Sequence, residues 1–97
     1  MLFRSQAQAT PLLSLNAGPA PRDDADIVSD VGFAAGVFSR SRLRLSVYSQ
    51  QGYDKKRTET LVAQVSERFD LGEARLIAQL TRPSSPSSYR LEIMPVE

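Results

Sequence analysis

Residues 40 to 48 alternate without a break, with Leu43, Leu45 and Val47 on one side and Arg40, Arg42, Arg44 and Tyr48 on the other. A period of two is that of a strand with one face turned to a core. The pattern breaks at Gln50-Gln51-Gly52, and from there Thr58, Leu61, Val62, Val65 and Phe69 recur at spacings of three and four. That is the stripe of an amphipathic helix. Asp54 can cap it through its carboxylate and Gly72 stands where it would stop, so the spacing predicts a helix over residues 55–70. Alternation returns over 73–81, where Ala74, Leu76, Ala78 and Leu80 oppose Arg75, Ile77 and Gln79. It returns again over 89–94, with Tyr89, Leu91 and Ile93 opposite Arg90, Glu92 and Met94. Between these two strands the run from Arg82 to Ser88 holds two prolines, which cannot donate to a ladder, and reads as a loop.

The resulting class is α+β, a small β-α-β-β sheet with one covering helix. The helix would cross between two parallel strands, and the last two strands would form an antiparallel hairpin. Leu45, Val65, Phe69, Leu76 and Leu91 are the expected core. Ahead of this lies 26–38, read as a short helix and then a strand over 33–38. Asp23 and Asp24 suit a helix start, whereas Gly32 and Gly36 are poor in a helix interior. Residues 1–25 differ in kind: no acid precedes Asp23, Arg4 and Arg22 are the only cations, and Ser, Gln, Ala, Pro and Gly surround Leu12, Leu13 and Leu15. That composition predicts a flexible N-terminal arm, 1–25, before a single small domain, 26–97. A chain of 97 residues has room for one core.

The chain contains neither cysteine nor histidine. It therefore cannot use a disulfide, a thiolate ligand, a thiol nucleophile or the usual general base near neutral pH. Ser39, Ser41 and the serines of 84–88 have no histidine to activate them, and the glycines are too scattered to cradle a phosphate. Asp23, Asp24, Asp26 and Asp30 do not follow the spacing of a calcium loop. No enzyme activity, metal or cofactor is expected, nor a membrane span, since no stretch approaches the ~20 apolar residues required. A cysteine-free chain suits a reducing compartment, so the expected location is cytoplasmic.

The most informative feature is charge placement. Over residues 37–60, Arg40, Arg42, Arg44, Lys55, Lys56 and Arg57 outnumber Asp54 and Glu59, giving net +4 where the whole chain is +1. Three of these cations fall on the outer face of the first strand. The other three fall in the first turn of the helix, where the dipole disfavours positive charge, a conflict that an anionic partner would relieve. With Tyr48, these six are the expected partner-binding residues. The reading is a non-catalytic accessory or linker subunit that binds other proteins in a larger assembly through its arm and its basic strand face. The alternative is an RNA- or DNA-binding domain using the same face, with Tyr48 stacking on a base.

Overall fold

The alternating segment around Leu45 becomes the middle of a sheet. In the computed structural model, which describes residues 10–20, 22–72, 74–82 and 85–96, the elements run β1 (Leu13–Asn16), α1 (Asp24–Val37), β2 (Leu43–Ser49), β3 (Gly52–Tyr53), α2 (Lys55–Arg68), β4 (Leu76–Ala78) and β5 (Tyr89–Ile93). The class is α+β, as the periodicities indicate. Strand β2 pairs in parallel with β4 (Leu43 opposite Leu76, Leu45 opposite Ala78), so α2 does connect two parallel neighbours.

The expected hairpin between the last two strands is not formed. Strand β5 instead pairs antiparallel with the other side of β2, placing Leu43 opposite Ile93, Leu45 opposite Leu91 and Val47 opposite Tyr89. The long proline-containing loop lets the chain leave one side of β2 and return on the other. Outside β5 lies β1, with Leu13 opposite Ile93 and Leu15 opposite Leu91. These residues belong to the segment read as an arm, and within the described residues that segment supplies an edge strand of the sheet and the start of α1. The first nine residues of the expected arm, and Pro83 and Ser84 of the loop, lie outside the described residues.

Among the described residues two helices, not one, rest on the sheet. The stretch read as a short helix and a strand is one continuous helix, α1, with Asp23 at its N-cap and Asp24 and Asp26 in its first turn. Its buried side, Ile27, Val28, Val31 and Ala35, joins Leu43, Leu45, Val47, Leu61, Val65, Leu76, Leu91 and Ile93 in one core. Arg75 holds the far end of α1: its Nη2 donates to the carbonyls of Ala35 (2.9 Å) and Phe38 (3.2 Å), and its Nε to that of Ser41 (2.9 Å). A cation is thus brought from the start of β4 to the negative end of a helix whose own last turn carries none.

Helix α2 begins where its sequence indicates, with Asp54 Oδ1 accepting from the Arg57 N–H at 3.0 Å. It ends before Gly72, because Asp70 takes the left-handed conformation (φ 54°), which aspartate tolerates better than most residues. Phe69 also departs from expectation. It sits at the C-cap, 37% exposed, with its ring over Gly32 of α1, in the space a Cβ there would fill. That close approach is why a glycine stands inside α1.

Candidate functional site

The seven expected partner-binding residues, six cations and Tyr48, do not share one face. Arg40 and Arg42 are exposed in the turn between α1 and β2. Lys55 and Lys56 are exposed in the first turn of α2, beyond the opposite end of β2. Seven strand residues at about 3.3 Å each separate the two groups by roughly 20 Å. Arg44 lies between them but is nearly buried, its Nη2 2.7 Å from Glu92 Oε1 on β5, and Arg90 Nε bonds the other oxygen of that carboxylate at 3.1 Å. The outer face of β2 is therefore not the open arginine row that the alternation suggests. Neighbouring strands flank β2 on both sides, and its polar residues are matched across the sheet: Ser46 donates to the carbonyl of Gln79, and Tyr48 Oη donates to that of Thr81 at 2.8 Å.

Tyr48 and Arg57 come together at the carboxyl end of β2, where they line an open groove of about 700 Å³. Tyr53 stands opposite Tyr48 in the β2–β3 register, and Arg22 and Arg82 complete the basic lining; none of the lining residues among those described is acidic. Two of these arginines are anchored from outside the groove. Arg22 Nη2 lies 2.6 Å from Asp30, and Arg57 reaches Asp24 through Nε (2.8 Å) and Nη2 (2.7 Å) while Nη2 also donates to the Arg22 carbonyl. Asp24 and Asp30 both belong to α1, so that helix positions two of the groove's three arginines. Behind them, Tyr89 Oη donates to Asp30 at 3.0 Å. Burial, reinforced by the hydrogen bond to Asp30 and its charge, pushes the Tyr89 phenol up to about 12. Ser88, in the groove wall, keeps a buried hydroxyl with no hydrogen-bond partner among the described residues. Of the groove's arginines, sequence reasoning selected only Arg57. The signal for Arg22 and Arg82 is spatial, since both sit in loops brought together by the fold.

A second surface is apolar. From Val31 to Phe38 no side chain is polar, so α1 is hydrophobic all round in its second half. A helix of that kind is ordinarily buried on every side. Here the core and α2 cover one side only. Phe33 is 74% exposed and Val37 58%, one turn apart, with exposed Arg40 just beyond them. Compared with protein-family models, with curated proteins and with solved structures, the chain matches none of them. No helix among the described residues is long and apolar enough to cross a membrane.

Proposed function

We propose that this chain is a non-catalytic subunit that docks onto another protein of a larger assembly through the open side of α1. The observation that carries this is the pair Phe33 and Val37, large apolar side chains left in solvent on a helix with no polar residue in its second half. Exposing them serves nothing in the isolated fold, and an apolar centre beside a cationic margin, here Arg40, is the composition of a protein interface. The non-catalytic part of the reading rests on the absence of histidine and cysteine. The basic strand face no longer supports it, because Arg44 is paired and the other cations stand apart.

Affinity-tagged protein recovered from its source cells tests this, with Phe33→Ser beside the unaltered chain. Loss of a central aromatic anchor should reduce the retained partner about tenfold or more. The same substitution should shift the urea unfolding free energy by less than about 0.5 kcal/mol, because Phe33 has little folded contact to lose. Undiminished retention, or retention only of further copies of this chain, would count against the proposal.

A further inference from the structure

We propose that the groove at the carboxyl end of β2 binds a nucleotide, a phosphate joined to a flat base, either free or within a single strand. Its lining supplies both halves of that recognition. For the phosphate, Arg22, Arg57 and Arg82 line the same groove, with no carboxylate among its described lining residues. The planar guanidinium fork matches phosphate oxygens. Arg22 and Arg57 are held in place by Asp30 and Asp24, yet their side chains remain 36% and 32% exposed. Arg22 spends only Nη2 on its carboxylate and Arg57 only Nε and Nη2, so each keeps donors for a second anion. Arg82 is exposed and has no ion pair among the described residues.

For the base, Tyr48 and Tyr53 are cross-strand partners that both line the groove, and the bond from Tyr48 Oη to the Thr81 carbonyl fixes the first ring. A tyrosine ring offers a flat surface to any base. The cavity, about 700 Å³, falls within the span usual for small-molecule sites. An acidic peptide would engage the arginines and leave the tyrosine faces unused.

The ion pairs also set how such binding responds to salt. Since α1 carboxylates already offset Arg22 and Arg57, Arg82 is the principal uncompensated cation, and about one phosphate is neutralised. For a single strand, the slope of log affinity against log salt should then be near −0.7. A continuous face built from all six cations selected by sequence would give a slope several times steeper.

The test is fluorescence anisotropy with a labelled oligouridylate of about ten nucleotides, and calorimetry with AMP, at ~50 mM salt. Inorganic phosphate and a polyglutamate peptide serve as comparison probes. Arg82→Ala and Tyr53→Leu should each weaken nucleotide binding about tenfold, and Arg42→Ala, at the other end of β2, should leave it unchanged. Unaltered urea midpoints show that the variants fold, and Arg82→Ala, in an exposed loop, keeps the test valid if Tyr53→Leu does not fold. Binding of AMP supports a free nucleotide as the ligand; binding of the oligomer alone supports a single strand. The proposal is overturned if neither probe binds, if polyglutamate or phosphate binds as tightly, or if Arg42→Ala weakens binding as much as Arg82→Ala.

Discussion

Thr58 has no exposed surface, and its one hydroxyl closes a gap in the sheet. Strand β4 pairs only with the first half of β2 and β3 only with its end, leaving the Val47 N–H between them without a strand partner. Thr58 Oγ1 accepts that N–H at 3.0 Å and donates to the Asp54 carbonyl at 2.7 Å. Thr58→Val keeps the shape and removes the acceptor, so urea unfolding should show a loss of about 1–3 kcal/mol, the usual cost of stranding a buried donor, while Thr58→Ser should lose less. Tyr89 supplies a test in pH. Its phenol ionises at 10.0 in the unfolded chain and at about 12 in the folded one, so above pH 10 the unfolded state gives up its proton first. The stabilising contribution is intact below pH 10 and is lost as pH rises towards about 12. Urea midpoints across that interval should fall more steeply for the unaltered protein than for Tyr89→Phe; parallel curves would mean that the phenol is neither buried nor held by Asp30.

At the scale of elements, the parts legible in the sequence were those whose period ran unbroken: β2 and β5 by alternation, α2 by its stripe and the Asp54 cap. Helix α1 is not legible in the sequence because Gly32 and Gly36 are poor helix formers by propensity. What keeps Gly32 is tertiary, the Phe69 ring lying where its side chain would be. This relation predicts a coupling. In the unaltered chain, Gly32→Ala must displace the ring, which offsets the helix propensity gained. In a Phe69→Ala background the same change should stabilise the protein by about 1 kcal/mol, the intrinsic preference of a helix for alanine over glycine. Urea melts of the four chains measure the difference, and equal effects of Gly32→Ala in both backgrounds would mean that Phe69 does not occupy that space. Strand β1 was illegible for another reason: four residues between Pro11 and Pro19 carry too short an alternation to stand out, and what makes them a strand is the free edge of β5. Alternation also names a strand's faces and not its neighbours, which is why the placement of β5 could not be read from it.

Across the whole molecule, composition located the charge correctly but could not say which charges remain free. Arg57 finds Asp24 from 33 residues away, and Arg44 meets Glu92 only because β5 crosses to β2. Pairing of this kind depends on register and removes members from a patch that looks continuous on paper. The apolar side of α1 was legible in principle, since the stretch Val31–Phe38 has no polar residue, but its meaning depends on knowing that one side stays uncovered. The most direct measurement of what covers it is site-specific photocrosslinking in the source cells, with benzoylphenylalanine in place of Phe33 and, in a second chain, in place of Glu59 on the exposed side of α2. Docking through α1 predicts a discrete adduct with another protein from position 33 and none from position 59. Absence of an adduct at position 33, or the same adducts from both positions, would contradict it.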